Sequence, residues 1–294
     1  MSESVAVLGS LHMDVLVSAA RLPTLGETLI GNDWYQTPGG KGLNQAVACA
    51  RAGAAVAMLG AVGNDAFGDA LLAHLESQTI GVNGVARVPG ARSGMSIVVR
   101  TPDDYAAVVS SQVNASLTEE MLLAWSNTLS STDILVLQNE IPETVNVAAA
   151  ALIRKRGGRV VLNAAPARAF SEAMLAQTSI LVVNAVEAGM MGADPVEDLS
   201  SAWNGCRKLG EQFGCAVVVT AGPHGAAWTD HMADYGTVAG ERVDVISSHG
   251  AGDTFIGHLV AQLASGAQLG QAVAIANRQA AVFVSTPRTM AVAA

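Results

Sequence analysis

Two glycine-rich turns, each at the start of a helix pattern, carry the residues best suited to chemistry. The first turn, residues 39–45, reads GGKGLNQ, and the second, residues 248–254, reads SHGAGDT. Glycine lets the backbone approach a ligand closely, and the start of a helix offers unpaired N–H donors. Both turns are therefore candidate ligand-binding segments, although they lie some two hundred residues apart in the chain.

The first turn combines a cation with an amide. Lys41 stands near the positive end of the following helix, which costs up to about 1 kcal/mol of helix stability. This placement favours a role for Lys41 toward a ligand, and a solvated lysine in a tight turn is the alternative. Asn44 follows one turn later, where its amide can both donate and accept hydrogen bonds toward a polyol. The segment does not match a nucleotide-binding P-loop, because Tyr35 occupies the first glycine position and Gly42 follows the lysine.

The second turn places a carboxylate beside a group of N–H donors. Gly250 to Gly252 would present their N–H groups to an anion at a positive helix end. Asp253 then has two interpretations, a carboxylate that serves the ligand or the N-cap of the helix. A dinucleotide-binding glycine motif is disfavoured, because Phe255 stands where its third glycine belongs and the segment comes late in the chain.

Polar side chains follow several predicted strands at the point where each strand ends. In an open parallel sheet, ligands bind beyond the carboxyl ends of the strands. Any one of these residues would serve as a loop cap, but their repeated placement predicts a site at one edge of the sheet. They are Gln138, Asn139, Glu140, Asn163, Asn184, Glu187 and Thr220, the last of which leads into Gly222 and Gly225.

Short apolar runs alternate with longer helical patterns along most of the chain. This alternation predicts a parallel α/β sheet with helices on both faces. Two segments, residues 14–38 and about 93–110, break the rhythm, and the second resembles a hairpin around Pro102-Asp103-Asp104. We expect them to form a small separate sheet. Predicted strands are 5–8, 57–59, 134–137, 160–162, 180–183 and 216–219, and predicted helices are 42–51, 67–77, 118–129, 144–156, 199–213 and 253–263.

Composition excludes several classes of protein. The 294 residues are 50% hydrophobic and 14% charged, which is incompatible with a disordered chain. The net charge of −9 argues against a nucleic-acid partner, since the only basic cluster is Arg154-Lys155-Arg156. The apolar runs are too short to span a membrane, and three scattered cysteines suit reduced thiols. We therefore expect a cytoplasmic protein with neither a nucleic-acid nor a membrane partner.

The two turns in this order, "GGKGLNQAVACARAG" and "GAGDTFIGHLVAQL", resemble the PfkB carbohydrate kinase family, and within it the ribokinases most. The segments "VLGSLHMDV", "RLPTLGETLIG", "LQNEIP", "LNAAPAR", "VVNAVEA" and "VVVTAGPHGAAW" support the resemblance in family order. It implies one ribokinase-like domain over residues 1–294, a Rossmann-like three-layer α/β fold with a parallel-rich central sheet. Residues 14–38 and 93–110 would form a β-sheet lid inserted in that core.

The resemblance also implies a reaction and a set of roles. The chain would transfer the γ-phosphate of ATP, with Mg²⁺, to a hydroxyl of a small sugar, first of all ribose, and would pair as a homodimer through the lid. Asp253 would be the general base and Gly250, Ala251 and Gly252 the anion hole. The sugar would contact His12, Asp14, Gly40, Lys41, Asn44, Glu140 and Asp253. The nucleotide would contact Asn184, Glu187, Thr220, Gly222, Gly225, Gly252 and Asn277, with Glu187 acting on Mg²⁺ indirectly.

Three departures from the family pattern bear on these expectations. Ser247 replaces the Asp that ribokinases use for a monovalent cation, so Ser247 and His249 stand at that position. Residues 285–290, including Arg288, replace the loop that completes the ion site in ribokinases and that precedes their final helix. We therefore predict a weak response to potassium. His12 stands where ribokinases carry Asn, so the substrate could also be another sugar or a nucleoside. Because of the changes at Ser247 and in the tail, a second interpretation also remains open, a sugar- or nucleotide-binding protein with little turnover.

Overall fold

A computed structural model describes residues 4–102, 105–230 and 234–287. Within them, strands and helices alternate as the sequence pattern predicts. The strands are β1 (Val5–Leu8), β2 (His12–Ser18), β3 (Asp33–Gly39), β4 (Val56–Gly63), β5 (Gly81–Val88), β6 (Gly94–Arg100), β7 (Tyr105–Ser110), β8 (Ile134–Leu137), β9 (Arg159–Asn163), β10 (Ile180–Asn184), β11 (Ala216–Thr220), β12 (Gly225–Thr229) and β13 (Tyr235–Ala239). The helices are α1 (Lys41–Arg51), α2 (Ala66–Ser77), α3 (Met121–Ser131), α4 (Glu143–Lys155), α5 (Glu172–Gln177), α6 (Ala185–Met190), α7 (Leu199–Phe213), α8 (Ala251–Ala264) and α9 (Leu269–Ser285).

The large sheet has the strand order β13-β12-β11-β10-β9-β8-β1-β4-β5. Its strands pair in parallel from β11 to β5, and β12 and β13 are added antiparallel at one edge. Strand residues alternate between two cores, so that Val5 and Val7 contact one while Ala6 and Leu8 contact the other. Helices α1, α2, α8 and α9 cover the first face and α3 to α7 the second. The predicted three-layer α/β class is confirmed.

The small sheet has the order β3-β2-β6-β7 and comes from the two irregular segments. Strand β2 pairs antiparallel with β3 and parallel with β6, and β6 and β7 form the predicted hairpin. The turn residues 103 and 104 lie outside the described ranges. The sheet begins at His12, two residues earlier than expected, since only Gly9–Leu11 separate β1 from β2. That short link places the small sheet directly beside the carboxyl end of β1.

Several elements differ from the sequence prediction. Helix α3 begins at Met121, three residues late, because residues 118–120 form a turn in which the Met121 N–H bonds the Thr118 carbonyl at 3.2 Å. The long helix α9 was not predicted; no side chain caps its start, so the sequence lacks a start signal there. The short helices α5 and α6 and the strands β5, β12 and β13 were also missed.

Helices α1 and α8 lie in close contact at Gly257. A Cβ atom added at Gly257 would lie 2.2 Å from the Ala48 Cβ and 2.6 Å from the Ala48 carbonyl carbon. Glycine is therefore required at this crossing. Since the two glycine-rich turns open these two helices, the crossing sets the distance between them.

Two further expectations can be compared with the described residues. Cys49, Cys206 and Cys215 are buried and free, as the sparse cysteines predict. None of the helices in the described ranges is long and apolar enough to span a bilayer.

Candidate active site

The first turn lies directly on the link between β1 and β2. Gly40 is the N-cap of α1 with φ 93°, and a Cβ there would lie 2.9 Å from the Ser10 carbonyl oxygen. A Cβ on Gly42 would meet the backbone of Gly9 and Ser10 at 2.6 Å. Only glycine lets the helix start lie this close to the carboxyl end of β1. The turn is thereby fixed at the sheet edge where strand-end polar residues collect.

The second turn places Asp253 against the first helix. Gly250, with φ 84°, is the N-cap of α8, and Asp253 is the third residue of that helix. The Asp253 carboxylate accepts hydrogen bonds from the side-chain amides of Gln45, at 2.9 Å, and Asn44, at 3.3 Å. It caps no backbone N–H, so the N-cap interpretation of Asp253 is wrong.

Burial and the neighbouring donors act in opposite directions on the pKa of the Asp253 carboxyl. The residue is 9% exposed, and burial raises the pKa of its carboxyl above the usual range. The Lys41 ammonium and the amides of Gln45 and Asn44 lower this pKa again, while the charge of Glu140 raises it. Lys41 thus faces the carboxylate cluster, which favours its interpretation as a ligand-facing cation.

Glu140 joins three segments at the sheet edge. Its Oε2 accepts a hydrogen bond from the Lys41 N–H at 2.9 Å and another from the Ser10 hydroxyl. The residue follows β8, whereas Ser10 follows β1 and Lys41 opens α1. Sequence reasoning missed Ser10, since a serine after a strand carries no signal of its partner 130 positions away.

Asp14 extends the cluster onto the small sheet. Its Oδ1 accepts a hydrogen bond from the Ser96 hydroxyl at 2.6 Å, and a Cβ on Gly39 would lie 2.0 Å from its Oδ2. Burial raises the pKa of Asp14, while the Ser96 hydrogen bond and the charges of His12 and His249 lower it. His249 therefore lies close enough to the small sheet for its charge to act on Asp14.

His12 is buried beside this carboxylate. It is 2% exposed, and its Nε2 has no hydrogen-bond partner among the described residues. Together with Glu140 it lines a cavity of about 440 Å³ whose other walls come from Val109, Ser111, Ala115, Asn139, Ile141, Pro142 and Pro166. A cavity of this size is within the range that binds small molecules.

The start of α8 offers free donors beside Asp253. In the described hydrogen-bond network the Ala251 N–H bonds the Ser248 carbonyl at 3.1 Å, whereas the N–H groups of Gly252 and Asp253 have no acceptor. A side chain at Gly252 would meet nothing within 4 Å, so the space in front of the helix is open. An anion would find two backbone donors and the positive helix end here.

Asn184 and Glu187 form a capping box on α6. The Asn184 side chain accepts from the Glu187 N–H at 2.8 Å, and Glu187 Oε2 accepts from the Asn184 N–H at 2.9 Å. Burial raises the pKa of Glu187, Lys41 lowers it, and the charge of Asp253 raises it. Two mutually repelling carboxylates therefore share the vicinity of a single lysine.

The remaining nucleotide candidates lie around β10 to β13, and no described hydrogen bond links them to Asp253. The Thr220 hydroxyl donates to the Val183 carbonyl at 3.4 Å, and the Asn277 amide donates to the Ala239 carbonyl at 2.9 Å. Gly225 has φ 113°, and a Cβ there would lie 1.9 Å from the Val238 carbonyl oxygen. Gly222 has φ 55° and opens onto free space.

Ser247, at the position of the expected monovalent cation, lies in the loop before α8. The Ser247 N–H bonds the Val284 carbonyl at 3.3 Å, which fastens this loop to the end of α9. Across the described ranges, no group of three or more His, Cys, Asp or Glu residues could hold a metal ion. Arg288 and the rest of the altered tail beyond residue 287 lie outside the described residues.

Comparison with known proteins extends over nearly the whole chain. Residues 2–293 match the pfkB family carbohydrate kinases. The chain is 30% identical to a ribokinase of Bacillus subtilis (96% of this chain, 92% of the relative) and 32% identical to one of Schizosaccharomyces pombe (same shares). It is 31% identical to a deoxyribokinase of Salmonella typhi, over 86% of this chain and 83% of that one.

Solved structures give the same result for the fold. A ribokinase from Thermotoga maritima superposes with a TM-score of 0.86 at 27% identity, covering 97% of this chain and 93% of that one. A Cryptococcus neoformans ribokinase in complex with ADP gives 0.82 at 26% identity, covering 97% and 95%.

Proposed function

Because the chain belongs to the pfkB family of carbohydrate kinases, we propose that it transfers the γ-phosphate of ATP to a hydroxyl of a small sugar, ribose first, with Asp253 as general base. The observation that carries this proposal is the buried Asp253 carboxylate beside two unpaired N–H groups at the start of α8. A base and an anion-binding turn in one place are what phosphoryl transfer to a hydroxyl requires.

The sugar would lie between the two sheets. Asp14 and Glu140 supply carboxylates that accept hydroxyl hydrogen bonds, Lys41 and Asn44 supply donors, and Gly40 leaves room at the turn. Relatives named ribokinase and deoxyribokinase support a five-carbon sugar. His12 favours a second candidate, another sugar or a nucleoside, because its unpaired Nε2 and its place in the cavity wall differ from the Asn of ribokinases.

The nucleotide would approach from β10 to β13. We place its phosphates before Gly250, Ala251 and Gly252, with Asn184, Thr220, Gly222, Gly225 and Asn277 around the remainder. The Cryptococcus neoformans ribokinase in complex with ADP supports this use of a nucleotide.

Glu187 is the residue that fits Mg²⁺. It is buried at the start of α6 within range of the Lys41 charge, and carboxylate oxygens are ligands that Mg²⁺ accepts. Glu187 would hold the ion through water, and the ion would supply positive charge for the phosphate oxygens.

The reaction then depends on alignment and charge more than on covalent catalysis. Asp253 accepts the proton of the attacking hydroxyl, while the Gly252 and Asp253 N–H groups stabilise charge on the transferred group. We propose that the small sheet closes over the sugar as a lid, which would exclude water and limit ATP hydrolysis.

The outer side of the small sheet is the surface for the expected homodimer. Trp34, Ile97 and Val108 share that face by strand register and are exposed, Val108 by 73%. Analytical ultracentrifugation of the chain and of Val108→Glu tests this pairing. A dimer that becomes monomeric in the variant supports it, and a monomer in both contradicts it.

Asp253→Asn tests the central proposal. Loss of a general base typically lowers kcat by about 10²–10⁴-fold, and ADP release with ribose as acceptor measures it. Asp198→Asn is the matched control, because Asp198 is a true N-cap, on α7, where asparagine caps equally well. Near-normal turnover of Asp253→Asn would contradict the assignment. Absence of turnover by the unmodified enzyme across pentoses, hexoses and nucleosides would instead favour a binding protein.

A further inference from the structure

The two oxygens of the Asp253 carboxylate have different surroundings. Oδ1 accepts a hydrogen bond from Gln45 Nε2 at 2.9 Å, whereas Oδ2 is 3.3 Å from Asn44 Nδ2. The first distance is that of a well-formed N–H···O bond and the second is longer than the usual range. Gln45 is fully buried, while Asn44 is partly exposed.

A second amide fixes the orientation of Gln45. Its Oε1 accepts from Gln138 Nε2 at 2.8 Å, and Gln138 is also fully buried. An amide oxygen only accepts and an amide nitrogen only donates, so the Gln45 NH₂ group must face Asp253. Rotation of the amide by 180° would set its oxygen against the carboxylate and its NH₂ group against that of Gln138.

We propose that Gln45, oriented by Gln138, is a positioning residue that occupies Asp253 Oδ1 and leaves Oδ2 as the oxygen that takes the proton from the substrate hydroxyl. This inference rests on the proposed kinase function. The hydroxyl O–H bond breaks and its proton passes to Oδ2. The hydroxyl oxygen forms a bond to the γ-phosphorus, and the bond from that phosphorus to the bridging oxygen breaks, so that ADP leaves with the electron pair.

The amide chain also favours the ionised base. An N–H donor aimed at Oδ1 leaves no acceptor for a proton on that oxygen, so it stabilises the carboxylate form. The other groups that face Asp253 are Lys41 on α1, Asn44 on α1, Glu140 after β8 and Glu187 on α6. Of these, Glu140 acts against ionisation of Asp253, Lys41 favours it, and Gln45 is the fully buried donor that adds to the effect of Lys41.

Gln45→Met is the variant that tests the inference. Methionine matches the length of glutamine but provides no donor. Loss of a charge-assisted hydrogen bond from a buried carboxylate raises its pKa by about one to two units. We expect the acid limb of the kcat/KM profile for the sugar to move to higher pH by that amount. We also expect kcat at neutral pH to fall about tenfold to hundredfold, with little change in the KM for ATP.

Two further variants keep the test decisive. Gln45→Glu keeps the shape of the side chain and an acceptor for Gln138, but it sets a second carboxylate against Asp253. The acid limb of its pH profile should therefore move further in the same direction. This variant replaces Gln45→Met in the test if Gln45→Met fails to fold. Thr178→Val is the matched control, because the buried Thr178 hydroxyl donates to the Met174 carbonyl at 2.9 Å and has no hydrogen bond with Gln45, Gln138 or Asp253. It should lower thermal stability and leave the pH profile in place.

The outcomes separate this inference from the proposed function. An inactive Asp253→Asn together with an unchanged acid limb in both Gln45 variants overturns the role of Gln45 alone. An active Asp253→Asn overturns the general base itself. An acid limb that moves equally in Thr178→Val shows a general packing effect and also overturns the inference.

Discussion

Gly257→Ala should separate the two helices that carry the site. The added Cβ would lie 2.2 Å from the Ala48 Cβ, whereas carbon atoms pack at about 3.5–4.0 Å, so the helices must move apart by about 1.3–1.8 Å. Further contacts fall on the α1 backbone, at 2.6 Å from the Ala48 carbonyl carbon and 2.7 Å from the Cys49 nitrogen. No rotamer change relieves them. Overpacking of this kind costs about 1–3 kcal/mol of unfolding free energy.

The same displacement should lower activity more than stability. Asp253 lies one turn before Gly257 on α8, and Gln45 lies three residues before Ala48 on α1. Separation of the helices therefore lengthens the 2.9 Å hydrogen bond between Gln45 and Asp253. Misplacement of a catalytic group by about 1 Å costs on the order of 10²-fold in rate. We expect kcat to fall by about that factor.

Thermal unfolding and an ADP-release assay measure the two effects. A loss of about 2 kcal/mol corresponds to a Tm lower by roughly 3 °C in a chain of this size. Gly205→Ala on α7 is the matched control, because its added Cβ would come no closer than 3.5 Å to any neighbour. That variant should keep kcat and gain up to about 1 kcal/mol from helix propensity. Normal Tm and kcat in Gly257→Ala would refute the reasoning.

Three other predictions concern the sugar, the pH dependence and the cation. Asp14→Ala should raise the KM for the sugar about tenfold to hundredfold, because a charged hydrogen bond contributes about 1.5–3 kcal/mol; an equal rise in the KM for ATP would contradict the placement of the sugar. Burial raises the folded-state pKa of Asp253, so ionisation costs stability as pH rises through that pKa. Asp253→Asn should therefore have the higher Tm at about pH 8, with an advantage that shrinks toward about pH 4, and a constant difference would contradict this. Exchange of potassium for a bulky organic cation at constant ionic strength should barely change initial rates, since Ser247 supplies no carboxylate; many-fold activation by potassium would overturn that expectation.

The central strands were predictable because burial on both faces leaves a continuous apolar run. Strands 5–8 and 134–137 match the structure residue for residue, as does helix 199–213, which a capping box starts and Gly214 ends. Strands β12 and β13 were not predictable in this way. They are rich in glycine, alanine and threonine, and their place depends on pairing with β11 and packing against α7 and α9.

The sequence by itself determined which residue types open the two helices and which polar groups end the strands, because glycine at a helix start and an amide or carboxylate after an apolar run are local signals. It left Asp253 open between an N-cap and a functional carboxylate. Only the tertiary structure decided this, through an amide donor 208 positions away. Gln45 and Ser10 carry no local signal, since their hydrogen bonds exist only once α1, α8 and the sheet edge are packed together. The crossing at Gly257, where the absence of a side chain brings two backbones together, allows the hydrogen bond between Gln45 on α1 and Asp253 on α8.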